Sequence, residues 1–88
     1  MDILLEPLLM ALGSNVRRER KVHGWSQEEL AERAMLHRTY VADVERGKRN
    51  VSVFTLGRLG EALNVSISHL CQGIEANAVK AEPGTFER

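Results

Sequence analysis

Residues 26–47, SQEELAERAMLHRTYVADVERG, carry start and stop signals for two short helices with only three residues between them. Ser26 and Glu29 form an S-x-x-E capping box, in which the hydroxyl accepts an orphan N–H and the Glu side chain reaches back. Trp25 just before the cap and Leu30 at the fourth helical position form a hydrophobic staple across that start. The first of the two helices runs from Gln27 to Ala34, with Leu30, Ala31 and Ala34 inward. Met35, Leu36 and His37 turn the chain into the second, Arg38 to Glu45, with Val41 and Val44 inward and Tyr40 half inward. Gly47 is placed to end it, since only glycine takes the left-handed C-terminal conformation without strain.

The flanking sequence reads the same way. Pro7 suits the first turn of a helix, where its missing N–H is not needed. From there Leu8 or Leu9, Leu12, Val16 and Arg20 share one face, and this helix ends near Val22. Gly13 weakens its middle by about 1 kcal/mol relative to alanine, so its first turns are expected to fray. Ser52 caps a helix from Val53 to Leu63 with Leu56, Leu59 and Leu63 as its apolar face, closed by Asn64. Ser66 caps a short fifth helix, Ile67 to Gln72. There is no alternating run long enough for a strand, so the fold class is all-α. Residues 1–11 form an apolar extension running into the first helix, residues 12–72 the domain, and residues 73–88 a partly disordered tail.

A chain of 88 residues is one domain. It buries only about 60–65% of its unfolded surface, which makes self-association a natural way to hide more apolar area. The N-terminal MDILLEPLLMALGS is apolar, but its first charges are acidic where a secretory segment needs positive ones. No stretch approaches the roughly 20 apolar residues of a membrane span. The single cysteine, Cys71, excludes an internal disulfide framework and fits the reducing cytoplasm. His69 and Cys71 have the wrong spacing for a metal site, and no nucleophile–base pair or phosphate-cradling loop is visible. The reading is a cytoplasmic protein that is not an enzyme and needs no cofactor. Twelve Lys plus Arg balance twelve Asp plus Glu, yet residues 14–49 hold nine bases against six acids. Positive charge is therefore concentrated in the middle, and local charge is what a polyanion meets.

Two short helices joined by a three-residue turn are the helix-turn-helix signature. With GWSQEELAERA, RTYVADVERGKRN and the Ser-capped fourth helix, the chain resembles the five-helix lambda-repressor-like, or XRE, family over about residues 12–72. RTYVADVERGKRN is most similar to the controller proteins of restriction–modification systems. The resemblance implies a sequence-specific regulator that binds double-stranded DNA, acts as a homodimer on a two-fold symmetric operator, and lays its third helix in the major groove. It implies base contacts from Arg38, Thr39, Ala42 and Asp43. It implies phosphate contacts from Gln27, His37, Tyr40, Arg46, Lys48, Arg49 and Asn50. Arg20 and Glu45 are implied as a partly buried ion pair, and Ile67, Leu70 and Ile74 as dimer contacts. RNA polymerase or a toxin is the implied protein partner; the alternative function is an antitoxin-type interaction module that neutralises a partner protein.

The residues carry part of this unaided. Inward Val41 and Val44 leave 38, 39, 42, 43 and 46 outward. Arg38 offers a bidentate fork for guanine O6/N7, and the Thr39 methyl suits a thymine methyl. Asp43 either accepts from cytosine N4 or pairs one turn on with Arg46. Arg17, Arg18 and Lys21 read first as a solvated face. Gly57 and Gly60 inside the fourth helix point to close packing, in the core or across a subunit boundary. Three residues depart from the family pattern. Met35 stands where Gly is usual, predicting a turn that is strained or differently shaped. His37 stands at a cap position, where a neutral ring accepts an N–H and a protonated one cannot, predicting pH-dependent binding. Glu19 stands where a larger apolar residue is usual.

Overall fold

The computed structural model describes residues 5–74. It has five helices: α1 Leu5–Val22, α2 Gln27–Ala34, α3 Arg38–Glu45, α4 Val53–Leu63 and α5 Ile67–Leu70. There is no strand among the described residues, and no helix there is long and apolar enough to cross a membrane. The fold is all-α, as the periodicity requires. The expected tail lies almost wholly outside the described residues, as do residues 1–4 of the extension.

α3 lies between α1 and α2, α2 also meets α4, and α4 meets α5. One apolar cluster fills the centre: Leu12 and Val16 from α1, Leu30, Ala31 and Ala34 from α2, Val41 and Val44 from α3, and Leu56, Leu59 and Leu63 from α4, with Leu70 from α5. Trp25, Leu36, Tyr40 and Cys71 pack on its rim. Each fully buried Val or Leu contributes roughly 1.5–3 kcal/mol, and burial of Val41 and Val44 is what fixes α3 in place despite its eight residues.

The caps set the boundaries. Glu29 N–H donates to Ser26 Oγ (3.1 Å), Thr55 N–H to Ser52 Oγ (3.1 Å) and His69 N–H to Ser66 Oγ (3.0 Å). Only half of the capping box at Ser26 forms, because the Glu29 carboxylate turns forward to Arg33 Nε at 2.7 Å. His37 occupies the cap of α3, but its ring makes no cap hydrogen bond. The pH response expected from that bond therefore loses its basis. α5 closes at Leu70, shorter than the expected reach to Gln72, and the chain continues in turns.

Two glycines allow close approach. A Cβ on Gly13 would run into the Val44 carbonyl oxygen and lie 2.7 Å from the carbonyl oxygen of Glu45. Gly13 is therefore no flaw in α1; it lets the helix lie against the end of α3. Gly47, at φ +73°, ends α3 as expected and also faces the backbone of Met10. Of the α4 pair, Gly60 is pressed on the Val65 carbonyl oxygen, whereas a Cβ on Gly57 would meet only Ile67 Cδ1 at 4.0 Å.

Polar joints complete the frame. Arg20 and Glu45 meet as a fork, Nε to Oε2 at 2.6 Å and Nη2 to Oε1 at 2.9 Å, and Arg20 Nη1 also donates to the Trp25 carbonyl (2.7 Å). Bonding to Glu45 raises the Arg20 pKa further, so the guanidinium stays charged although the residue is buried. Glu19, expected to weaken an apolar seam, instead accepts from His69 Nε2 at 2.8 Å and ties α1 to α5. Asn15 donates to the carbonyls of Leu70 (2.8 Å) and Gln72 (3.0 Å). Leu70 itself is fully buried in its own core. It is not available to a second subunit, which corrects its assignment as a dimer contact; Ile67 is exposed and Ile74 half-buried.

Candidate nucleic-acid interface

Burial of Val41 and Val44 fixes how α3 is rolled. Arg38, Thr39 and Arg46 are exposed along its outer side, with Ala42 and Asp43 half-buried between them. Arg38 sits in the first turn, where the helix dipole disfavours a cation by roughly 0.3–1 kcal/mol. No acidic residue stands in that turn to offset it, so the fork is left free for an outside acceptor.

Gln27 begins α2 and is half-buried. Its Nε2 donates to Glu45 Oε1 at 3.0 Å, so the Arg20–Glu45 pair also holds the first residue of α2. That bond uses one of the two N–H groups on Nε2, and the second is the donor that remains. Lys48, Arg49 and Asn50 are exposed in the loop after Gly47. His37, Thr39, Tyr40 and Arg49 come together around one open recess of about 530 Å³, with Leu36 and Thr55 in its wall. Residues distant in sequence thus converge from the turn, from α3 and from the basic loop.

The basic loop is ordered from within. The Arg49 guanidinium lies 4.9 Å from the Tyr40 ring centroid. Arg46 Nη2 donates to Asp43 Oδ1 at 2.6 Å, and Arg49 Nη2 lies 3.5 Å from Asp43 Oδ2. The Arg46 hydrogen bond, aided by its charge and by Arg49, holds the Asp43 carboxyl below the usual carboxylate range.

The turn before α3 takes the strained form that its sequence suggested. Met35 has φ 58° and ψ 48°, the left-handed region, and the residue is 71% exposed. Sequence reasoning missed Arg58. Its Nη1 donates to the Met35 carbonyl (2.9 Å), and its guanidinium lies 4.7 Å from the Phe54 ring centroid, so α4 braces the turn. It also missed that Val53 and Phe54 stand 72% and 70% exposed. An i, i+4 spacing of Phe54 and Arg58 was the only available signal, and that pattern is common on solvated helices.

The arrangement offers N–H donors and cations on the outward side of α3 and on the loop behind it. It can grip a polyanion and read hydrogen-bond patterns in a groove about 12 Å wide. The helix-turn-helix family model matches residues 16–70. The control protein C.SmaI of Serratia marcescens is 46% identical over 69 residues, covering 78% of this chain and 82% of that one. The crystal structure of the restriction–modification controller protein C.AhdI from Aeromonas hydrophila is 42% identical, with a TM-score of 0.69 over 70% of this chain and 94% of that one. SinR, a master regulator for biofilm formation solved in complex with DNA, is 33% identical, with a TM-score of 0.65 over 67% of this chain and 95% of that one. On the match over residues 16–70 and on these similarities, the chain belongs to the XRE-type helix-turn-helix family, with restriction–modification controller proteins among its relatives.

Proposed function

We propose that this protein is a sequence-specific, double-stranded-DNA-binding transcriptional regulator of the restriction–modification controller kind, working in the cytoplasm as a homodimer. The observation that carries the reading is the rigid, outward row Arg38, Thr39 and Ala42 on α3, flanked by the exposed cations of the 46–50 loop. Arg38 reads a guanine through O6 and N7, the Thr39 methyl packs on a thymine methyl, and Ala42 gives room for close approach. Gln27, His37, Tyr40, Arg46, Lys48, Arg49 and Asn50 hold phosphates, which supplies salt-dependent affinity without sequence choice. The second subunit covers Ile67 and Ile74 together with the open face at Gly57 and the exposed Val53 and Phe54. Two α3 helices then enter successive major grooves, with half-sites about 34 Å apart.

Selection from a random duplex library at about 150 mM salt, where nonspecific phosphate attraction is screened, tests this. A two-fold symmetric motif is expected, and Arg38→Ala should relax one position in each half-site. A folded protein that enriches no sequence overturns the DNA-reading role and makes isolation of protein complexes the next step. Light scattering behind size exclusion is expected to give a dimer; a clean monomer at micromolar concentration removes the homodimer.

A further inference from the structure

A surface built to grip phosphate has no evident need of a carboxylate, yet Asp43 stands in the middle of this one. Its side chain is only 21% exposed, and its two oxygens face two different cations, Oδ1 to Arg46 and Oδ2 to Arg49. Arg49 is held on its other side by the Tyr40 ring. The Asp43 backbone carbonyl also accepts from Arg46 N–H (3.2 Å) and Lys48 N–H (2.9 Å), so the carboxylate is anchored where the loop leaves α3. A reader of cytosine N4 needs a free oxygen aimed outward. Both oxygens of Asp43 instead face arginines, Oδ1 in a 2.6 Å hydrogen bond with Arg46 and Oδ2 at 3.5 Å from Arg49, and these arginines are 65% and 48% exposed.

We infer that Asp43 is a positioning and selectivity residue rather than a base reader: it holds Arg46 and Arg49 as an ordered pair and places a fixed negative charge among the phosphate-binding groups. This inference rests on the DNA-binding reading above. A duplex of any sequence must bring its phosphates to the two guanidiniums beside that carboxylate, and like charges repel. The repulsion is sequence-blind. Alone it lowers affinity for every duplex alike; the difference arises because only a duplex docked by Arg38 and Thr39 also uses the geometry in which the carboxylate holds Arg46 and Arg49. The repulsive element yields specificity only together with that held geometry. On the right sequence the held geometry of the two arginines is itself used, so removing the carboxylate costs there what the removed repulsion returns.

Asp43→Asn keeps the shape and removes the charge. Binding of the full chain to its selected duplex and to a random duplex is measured between about 0.1 and 0.4 M salt. On the random duplex the slope of log K against log salt should steepen by about 0.9, one effective phosphate contact, which amounts to about fivefold tighter binding near 0.15 M. Affinity for the selected duplex should hold within about twofold, so preference falls about fivefold. Repeating the selection with Asp43→Asn should return the same motif. In an Arg46→Ala, Arg49→Ala background only the sequence-blind repulsion remains, so the substitution should shift both affinities alike and leave the preference unchanged. A motif relaxed at one base pair per half-site makes Asp43 a base reader and overturns the inference. An unchanged slope on random DNA overturns it as well. If the unsubstituted protein binds neither duplex, the DNA-binding reading fails first and is identified as the failure.

Discussion

Gly13→Ala and Gly57→Ala are the same chemical change in two helices, and the structure gives them opposite signs. Helix propensity alone stabilises each by about 1 kcal/mol. At Gly13 the new Cβ overlaps the Val44 carbonyl oxygen and lies 2.7 and 2.9 Å from the carbonyl oxygen and carbon of Glu45. These are backbone atoms at the end of α3, held by buried Val44 and by the Arg20–Glu45 fork, so neither yields without lifting α1 from α3. Overpacking of this kind costs roughly 1–3 kcal/mol and more when backbone must move. Taking the upper part of that range, the net loss is about 2 kcal/mol or more. At Gly57 the nearest atom is Ile67 Cδ1 at 4.0 Å, an ordinary contact, and the propensity gain survives. For a domain of this size 1 kcal/mol moves the midpoint by about 4–8 °C. Gly13→Ala should therefore melt about 8–16 °C lower than the parent, and Gly57→Ala about 4–8 °C higher. The assay is thermal melting by circular dichroism at one fixed, low protein concentration, because self-association makes the midpoint concentration-dependent. A rise in midpoint for Gly13→Ala would refute the reasoning, since it would mean that α1 and α3 are not in backbone contact.

Other outcomes follow from single features. Met35→Gly should stabilise the fold by about 1 kcal/mol, because the left-handed conformation costs a non-glycine residue about that much and the exposed Met side chain leaves no cavity; urea denaturation midpoints check it. Glu45→Ala leaves the buried Arg20 guanidinium unpaired and should cost about 3–5 kcal/mol, enough to leave much of a small domain unfolded at 37 °C by circular dichroism. The Asp43 carboxyl is depressed by Arg46, so its contribution to the folded state is present above the ordinary carboxylate range and is lost only as pH falls through the depressed value. Carboxyl-detected NMR should show Asp43 titrating below 3.8, and Arg46→Ala should move it back up.

Where a helix end is written in capping residues, sequence and structure agree to the residue. The start of α2, the end of α3 and both ends of α4 fall as expected, because Ser26, Gly47, Ser52 and Asn64 are local signals that need no tertiary information. α5 stops two residues early, where no such signal was available. The outward set on α3 was legible because the positions of Val41 and Val44 determine it. Contacts between distant segments were not. Gly13 read as a weak point until α3 was placed against it. Glu19 read as a defect until His69 was found opposite. The choice between the two roles of Asp43 depended on where the loop carries Arg49, which no periodicity encodes. Leu70 and Ile67 are both apolar residues of one short helix, and only packing shows that the first is core and the second exposed.

Asn15 has a consequence for how the molecule assembles. A helix of four residues is far too short to persist alone in water. The carbonyls of Leu70 and Gln72, at the end of α5 and just beyond it, are taken up by a side chain 55 and 57 residues earlier. α5 therefore takes part of its order from α1, and joining segments so far apart in sequence is the slow kind of step. The surface around Ile67 is accordingly a late product of folding. A partly unfolded chain lacks that face, so the proposed pairing would be open only to molecules in which α1 and α5 have already met.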